Sequence, residues 1–410
     1  MSRRFSLKAT LLVLSAIAAP LHAQTNDASY FPGPSFYGTG TWNADSLGNH
    51  RVIIRVGENA DAVLAHIPWR RRDKEPERKG IYVVDAFSGR RITNLQCVHI
   101  NREYGDIVFQ PSTIPSEYYV YYLLYRSNGS NYPKGYYLPM EQTADSAWLK
   151  LHNLDDPEKV ENVVHELPEA TLVQFQAIDE FNSFYPMEII ATKAEVEHLL
   201  NVNRKADYLL FPEDRKDPIK MSDDLPAKWI MDGPRKLFGG FAHKGEFYTF
   251  QIGLFAARTQ IEGVKVSMSD LRGRDGGTIP SLSFTSFNTG GVDWQGKEFE
   301  KSVTVERGKV QALWMGVQVP PDAEPGFYTG EITISPRGLK ATKVKIHLDV
   351  SDKLLADAGD SDPFRLSRLR WLDSQLAADD SVVPPFIPMT VKDNVITCLG
   401  RTVTLSPSGF

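Results

Sequence analysis

Two adjacent carboxylates, Asp179 and Glu180, are the residues whose types and spacing best suit acid–base chemistry in this 410-residue chain. They follow an apolar segment in QAIDEFNSFYP and lie beside Phe181, Phe184 and Tyr185. In such a pair one carboxylate can orient or stabilise, while the other, with its pKa raised by an apolar setting, donates a proton. The alternative is that one side chain is solvated and the other caps a loop. Because no second catalytic group is in reach, we assign no catalytic residue.

Other catalytic and metal-binding patterns are missing from the sequence. It contains no glycine-rich phosphate loop, HExxH, CxxC or Gly-x-Ser-x-Gly motif. The nine histidines lack the i, i+4 pairing that places two imidazoles on one helical face. The sequence therefore predicts no metal site and no cofactor, and it leaves the substrate-binding residues unknown.

Two features suggest binding, and each has a structural alternative. The charge run WRRRDKEPERKG, residues 69–80, could grip an anionic glycan or a neighbouring domain, but its signs cancel and we interpret it as a solvated loop. The segment 118–137 holds eight of the sixteen tyrosines, which could stack on sugars but are typical of strand and core contacts. Trp69, these tyrosines and Trp294 are the candidates for an aromatic sugar platform.

Short alternating runs position these residues in the first half of the chain. From residue 49 to 125 the bursts are separated by Gly, Pro, Asn and Asp, which is typical of an antiparallel sandwich. The bursts are HRVIIRV, AVLAHIPW, GIYVVDA, DIVFQP and EYYVYYLLY. The last of them is apolar on both faces, so we expect it to be covered on both sides.

A second β pattern runs from residue 228 to 350. Four strands alternate cleanly, with inward-facing Tyr248, Phe250, Ile252 and Leu254; Val264, Val266 and Met268; Leu313, Met315, Val317 and Val319; and Val344, Ile346, Leu348 and Val350. Between two of them, VQVPPDAEPGFYTGEITI predicts a proline-rich crossing between sheets. Tyr328 at the start of the following strand is placed to tie a sandwich corner.

The remaining segments read as a connector and a C-terminal extension. Residues 141–151 suggest a helix, the stretch ATLVQFQAIDEFNSFYPMEIIAT suggests two strands around an aromatic loop, and Thr192 to Glu195 form a capping box. Asp362 and Pro363 open a further helix, and short strands follow to residue 410.

Residues 1–23 have the basic start, apolar core and small-residue end of a secretory signal peptide.

The remaining 387 residues would carry a net charge of −8, from 43 basic and 51 acidic side chains. This charge argues against nucleic acid as a partner. No segment reaches the roughly 20 apolar residues of a membrane span. Cys97 and Cys398 are interpreted as free thiols. We expect a periplasmic or extracellular protein.

Several long stretches resemble the N-terminal, non-catalytic region of exported bacterial glycoside hydrolases similar to family 123. They are WNADSLGNHRVIIRV, HIPWRRRDKEPERK, HINREYGDIVFQP, IDEFNSFYPMEIIAT and GDSDPFRLSRLRWLDSQLAADDSVVPPF. The resemblance implies β-sandwich modules followed by a (β/α)8 barrel that hydrolyses N-acetylhexosaminides. In that family an adjacent Asp and Glu act in the barrel with the substrate's own acetamido group. Asp179 and Glu180 match that pair only as a dipeptide in another region, so its roles are not carried over.

These observations predict a mostly β protein with two immunoglobulin-like β-sandwich domains, a mixed α/β connector, and a C-terminal helix plus short strands. The expected ranges are the signal peptide 1–23, a sandwich 24–140, a connector 141–225 packed on it, a sandwich 226–352, and a linker helix with strands 353–410. The chain should dock a catalytic barrel that lies beyond residue 410 and be inactive alone. The alternative is a stand-alone glycan-binding or surface-interaction module.

Overall fold

A computed structural model describes residues 37–129, 131–183, 186–274, 276–376, 381–382 and 384–407. The predicted signal peptide lies outside these ranges, as do Phe184 and Tyr185. None of the helices in the described ranges has the length and apolar character needed to cross a membrane.

The first half of the chain forms two facing sheets. Its strands are β1 (Tyr37–Thr39), β2 (His50–Val56), β3 (Val63–Ile67), β4 (Tyr82–Asp85), β5 (Leu95–Ile100), β6 (Gly105–Phe109), β7 (Ser116–Tyr122), β8 (Tyr125–Asn128), β9 (Lys134–Tyr137) and β10 (Thr171–Ala177). One sheet has the order β1-β10-β2-β7-β4 and the other β3-β6-β5. Between them lies a core that includes Val52, Ile54, Ile107, Phe109 and Val120. The predicted bursts therefore form a sandwich, as expected.

Helices cover the outer face of the smaller sheet. They are α2 (Ser146–Leu151) and α3 (Pro157–Val164), and a short α1 (Ala44–Leu47) lies earlier in the chain. The predicted helix over 141–151 begins later, because the Asp145 carboxylate caps it by accepting from the backbone N–H groups of Ala147 and Trp148. Trp148 and Val164 pack with Leu64 and Val108 of the sheet.

The second half forms a larger sandwich. Its strands are β11 (Leu209–Asp214), β12 (Leu237–Lys244), β13 (Phe247–Phe255), β14 (Lys265–Met268), β15 (Leu271–Gly273), β16 (Thr278–Ile279), β17 (Phe284–Ser286), β18 (Gly290–Val292), β19 (Glu298–Glu300), β20 (Val310–Gln318), β21 (Gly326–Ser335) and β22 (Thr342–Leu354). One sheet has the order β11-β13-β20-β17, and the other has β12-β22-β21-β15-β16 with β14 also on β21. All the side chains predicted to face inward belong to its core or pack against it.

The structure divides the predicted connector of residues 141–225 between the two sandwiches. Strand β10 pairs with β2 of the first sandwich, whereas β11 pairs with β13 of the second. The second strand expected near residue 187 is a 3-10 turn, Pro186–Glu188. The helices α4 (Lys193–Val202) and α5 (Ala227–Asp232) cover the outer face of β11 and β13. Thr192 and Glu195 form the predicted capping box of α4.

Each sandwich has a tyrosine tied to the backbone of a preceding turn. Tyr328 donates its hydroxyl to the Glu324 carbonyl at 2.8 Å, as the sequence predicted, in the crossing from β20 to β21. Tyr118 does the same to the Thr113 carbonyl at 2.6 Å. Gly277 leaves room for Tyr328, since a Cβ there would lie 2.6 Å from its hydroxyl oxygen. Both hydroxyls are consequently satisfied although both rings are buried.

The predicted C-terminal helix is formed by two 3-10 segments, Pro363–Arg365 and Ser367–Asp373, separated at Leu366 by a left-handed backbone conformation. Asp362 is the N-cap and Pro363 the first helical residue, as expected. Three strands follow, β23 (Thr390–Lys392), β24 (Val395–Cys398) and β25 (Arg401–Thr404). Cys97 and Cys398 are free thiols.

The charge run is a solvated loop only in part: Arg72, Lys74, Glu75, Glu77 and Arg78 are exposed, but for residues 69–71 that interpretation was wrong. Arg70 and Arg71 are each 1% exposed, and Trp69 is 2% exposed. Arg70 donates to both carboxylate oxygens of Glu195 on α4, at 2.7 and 2.9 Å. Arg71 makes the equivalent two bonds to Asp73, at 2.6 and 2.8 Å. The run instead joins the first sandwich to the elements that cover the second.

Further ion pairs cross the same joint. Arg72 pairs with Glu188 at 2.8 Å, and Arg102 pairs with Asp224 at 2.5 Å. Since α4 packs on Phe211 and Trp229 in the outer layer of the second sandwich, these contacts couple the two halves. A cleft of about 850 Å³ lies along the joint and is lined by residues of both sandwiches, Arg102 and Asp224 among them.

Replacing Arg70 by methionine tests this joint. Arg70→Met leaves the Glu195 carboxylate without its bidentate partner, and breaking a buried pair costs about 3–5 kcal/mol. We expect a loss of that order in the free energy of unfolding, measured by urea denaturation. Glu197→Gln, an exposed change on the same helix, is the control and should shift it by less than about 0.5 kcal/mol. Equal effects of the two variants would contradict the role of Arg70.

The corner tie has its own test. Tyr328→Phe keeps the buried ring and removes one hydrogen bond, so we expect a loss of about 1 kcal/mol in stability. Tyr132→Phe changes a side chain that is 90% exposed and serves as the control. A denaturation midpoint of Tyr328→Phe that equals the wild-type value would show that the hydroxyl adds nothing.

A histidine cluster ties α3 to the smaller sheet and predicts a pH dependence. His66 and His99 both bond Asp106, at 2.6 and 3.1 Å, and His99 also bonds Glu161 of α3 at 2.7 Å. The bond to Asp106 raises the pKa of His66. Burial lowers the pKa of His99, but its bonds to Glu161 and Asp106 outweigh this and raise it overall.

Because these pKa values are raised on folding, the stabilisation is complete below the unfolded value of about 6.5 and is lost as the pH rises through the folded values. His99→Gln should therefore lower the free energy of unfolding more at about pH 5.5 than at about pH 8.5. Comparing variant with wild type at each pH removes the opposite contributions of His50 and His243, whose pKa values are lowered by burial. An equal loss at both pH values would disprove the linkage.

Candidate docking surface

A turn and a helical cap begin the segment that follows the second sandwich. The Asp357 carboxylate accepts from the backbone N–H groups of Ser361 and Gly359, at 2.8 and 2.9 Å. These bonds lower the pKa of Asp357 to about 2. The Asp362 carboxylate then accepts from the Phe364 N–H at 3.1 Å and caps the first 3-10 segment. Both carboxylates fix the direction in which the chain leaves β22.

A buried charge cluster holds this segment against the second sandwich. Glu246 is fully buried at the start of β13. Its Oε1 accepts from Arg215 at 2.6 Å and from Arg365 at 2.9 Å, while Oε2 accepts from the His243 N–H at 2.8 Å. The Arg365 carbonyl in turn accepts from Thr249 and Arg215, at 2.9 and 3.1 Å. Arg365 is therefore fixed at its side chain and at its backbone.

The second 3-10 segment lies along the sheet and a neighbouring hairpin. Asp360 pairs with Arg370 at 2.5 Å, and the Arg368 Nε donates to the Asp360 carbonyl at 2.8 Å. Further on, Asp373 accepts from the Val292 N–H of β18 at 3.3 Å. These contacts place residues 360–373 against β13, β18 and β20.

Among the described residues, this region and the strands that follow it expose many apolar side chains to solvent. We name the set of exposed side chains the C-terminal apolar surface: Phe364, Trp371, Leu372, Leu376, Phe386, Ile387, Met389, Val391, Leu399, Val403 and Leu405. Phe364 is 89% exposed and Leu376 is 76% exposed. Within the described residues β23, β24 and β25 pair with one another alone. A small sheet normally needs a packed hydrophobic face, and exposed apolar patches of this kind mark interaction sites.

The adjacent carboxylates Asp179 and Glu180 do not lie in this surface. Asp179 and Glu180 are both exposed, directly after β10. The Asp179 carboxylate accepts from the backbone and the side-chain amide of Asn182, at 2.9 and 2.8 Å. Asp179 thus caps a turn, as the alternative interpretation predicted.

The candidate sugar-stacking residues divide into buried and exposed side chains. Trp69 is buried with its indole N–H bonded to the Asn101 carbonyl at 2.8 Å, so it is not a surface platform. Tyr118, Tyr121 and Tyr122 are buried in the first sandwich, whereas Tyr132, Tyr136 and Tyr137 are exposed around the β8–β9 hairpin. Trp294, which is 87% exposed, lies in the turn of the β18–β19 hairpin.

Sequence reasoning missed the residues that build the anchor. Arg365 and Glu246 lie 119 positions apart, and no local pattern relates them. In the sequence Arg365 is one of three arginines within residues 365–370, and Glu246 directly precedes a predicted strand. In the described ranges no three His, Cys, Asp or Glu side chains are grouped so as to hold a metal ion.

The fold and the surface together define a two-sandwich β protein with an anchored, uncovered C-terminal segment. Residues 40–178 match the family model of the glycoside hydrolase 123, N-terminal domain. This range corresponds closely to the first sandwich, which ends with β10 at Ala177. The predicted resemblance to the N-terminal region of family 123 is therefore confirmed for these residues.

Solved structures give weaker likenesses. A family 123 glycoside hydrolase from Clostridium perfringens, described for glycolipid glycan hydrolysis, is 17% identical with a TM-score of 0.28. That match covers 36% of this chain and 28% of the hydrolase, so this chain spans well under a third of its length. A PapD-like domain of human CEP192 is 12% identical over 29% of this chain and 83% of its own, with a TM-score of 0.21. A comparison with curated proteins found no match.

Arg365 is the residue with which to test the anchor. Arg365→Met removes a charge-assisted bond to Glu246, worth about 1.5–3 kcal/mol. A change of about 1.4 kcal/mol alters an equilibrium constant tenfold. The equilibrium constant for local opening of the segment should therefore rise at least tenfold, and trypsin should cleave faster after Arg368 and Arg370. The measurement is the initial rate of limited proteolysis.

The control for this experiment is Arg337→Met, which breaks a solvent-exposed pair with Glu262. It should leave those cleavage rates unchanged. If trypsin cleaves the Arg365→Met variant no faster than the control variant, Arg365 does not anchor the segment.

Proposed function

We propose that this chain is the non-catalytic N-terminal part of an exported glycoside hydrolase similar to family 123, and that it scaffolds a catalytic barrel. The barrel would lie against the C-terminal apolar surface. The family match over residues 40–178 supports the N-terminal role. The basic and apolar pattern of residues 1–23 supports export.

The uncovered C-terminal apolar surface is the observation that carries the proposal. Residues 360–373 are held rigidly by the Glu246 cluster, so the exposed side chains that follow start from a fixed position. A segment anchored at one side and apolar at the other is suited to sit between two domains. Burial of these side chains against a barrel would remove apolar area from water, at about 25 cal/mol per Å².

The substrate class follows from the family alone. Family 123 hydrolases resembling this chain act on N-acetylhexosaminides with an Asp and Glu pair in the barrel. Here Asp179 and Glu180 are exposed, and Asp179 is engaged in capping a turn. We therefore place the chemistry in the barrel and assign the present residues a supporting role.

Purified residues 24–410 should not hydrolyse aryl N-acetyl-galactosaminide or N-acetyl-glucosaminide. The reason is that Asp179 and Glu180 are both exposed to solvent, and the Asp179 carboxylate is engaged in capping a turn. Release of the aryl alcohol is measured against a buffer blank. Turnover that is abolished by Asp179→Asn or Glu180→Gln would overturn the proposal.

The docking role is tested by the DNA that follows codon 410. We expect an in-frame or adjacent region that encodes a (β/α)8 barrel.

A second experiment measures the exposed apolar surface with the dye bis-ANS. When the chain and the barrel are joined, binding of the dye should fall relative to the chain alone. In the chain alone, Trp371→Ser with Leu372→Ser should lower dye binding as well. Absence of any such coding region, or dye binding unchanged by the barrel, would contradict docking.

A further inference from the structure

The outer face of the second sandwich carries a row of three side chains across β12, β22 and β21. Asp349 on β22 pairs with Phe241 on β12 and with Phe327 on β21. Directly paired residues point to the same face of a sheet. Neighbouring strands lie about 4.8 Å apart, so the two phenylalanines are about 10 Å apart with the carboxylate between them.

The row is open to solvent, whereas the opposite face of the same sheet packs in the core of the second sandwich. Phe241 is 53% exposed and Phe327 is 56% exposed, while their neighbours Ala242 and Tyr328 are buried. Asp349 is half-buried between the rings. No hydrogen bond or ion pair to its carboxylate is formed by the described residues. An acceptor held between two rings in this way has bonding capacity for a ligand.

The row borders a hollow of about 540 Å³. Gly239 and Gly240 of β12 lie in its lining with His347 of β22. At Gly239 a Cβ would meet nothing within 4 Å, so the glycine leaves the space beside Phe241 open. The volume falls within the range of about 300–1,000 Å³ that is usual for small-ligand sites.

The chemistry of the lining selects the kind of ligand. An aromatic face takes apolar C–H groups, and a carboxylate accepts hydroxyl protons. The wall carries charged side chains of both signs, Asp214 and Asp349 together with Arg215 and Lys216, so it favours neither a cation nor an anion. A flat apolar protein surface would bury Asp349 without a partner, which is costly. A neutral sugar offers both apolar faces and hydroxyl donors.

We propose that this hollow is a binding subsite for a neutral oligosaccharide. Phe241 and Phe327 stack on two sugar rings, and Asp349 accepts hydroxyl groups between them. The subsite lies on the second sandwich, outside the range of the family match, and it does not include the C-terminal apolar surface. It holds whether or not the chain docks a catalytic barrel.

Calorimetric titration of the purified chain tests the subsite. The probes are N,N′-diacetylchitobiose, cellobiose and lactose, and at least one should bind with a Kd of about 1 mM or tighter. Phe241→Ala and Phe327→Ala should each weaken that affinity by about tenfold, since each removes one stacking contact. Asp349→Leu should weaken it at least as much, and Asp349→Asn, which keeps one acceptor oxygen, should weaken it less.

Phe364→Ala is the control, because Phe364 is an exposed phenylalanine on the C-terminal apolar surface, away from the hollow. It should leave the affinity unchanged. Thermal unfolding of the phenylalanine variants should stay close to wild type, since Phe241 and Phe327 are each more than half exposed. Failure of all three saccharides to bind at about 10 mM, or binding that survives the Phe241→Ala/Phe327→Ala double variant, overturns the proposal. Neither result bears on catalysis or docking.

Discussion

The bidentate pair between Arg70 and Glu195 is the contact on which the arrangement of the two sandwiches depends. A guanidinium that is almost fully buried must be paired, because leaving it without a partner in the interior is costly. Its partner Glu195 also completes the capping box of α4. One carboxylate therefore stabilises the start of a helix and joins it to the other half of the molecule.

The joint and the C-terminal anchor use the same physical solution. In each, an arginine reaches from one segment to a carboxylate that belongs to another: Arg70 to Glu195 at the joint, and Arg365 to Glu246 at the anchor. Charge-assisted bonds of this geometry are directional, so they fix orientation as well as adding energy. The two sandwiches and the C-terminal segment are consequently connected through paired arginine and carboxylate side chains.

The two sandwiches divide the surface between different uses. The first sandwich corresponds to the family match, and its helices and histidine cluster cover its smaller sheet. The second sandwich presents the anchored C-terminal segment by one sheet, through Glu246 and Thr249 of its β13 region. Its other sheet displays Phe241, Asp349 and Phe327 to solvent. Docking and saccharide binding would thus occupy separate faces.

The sequence by itself determined the strands, their inward faces, the capping box at Thr192 and the corner tie of Tyr328. These follow from local periodicity and turn chemistry, which act over a few residues. Tertiary structure alone decided that Arg70 and Arg71 are buried, that β10 and β11 belong to different sandwiches, and that Arg365 meets Glu246. Charged residues have no local preference that reveals a distant partner, and strand pairing depends on which neighbour shares the core. The row of Phe241, Asp349 and Phe327 was hidden for the same reason, since it exists only across three strands in register.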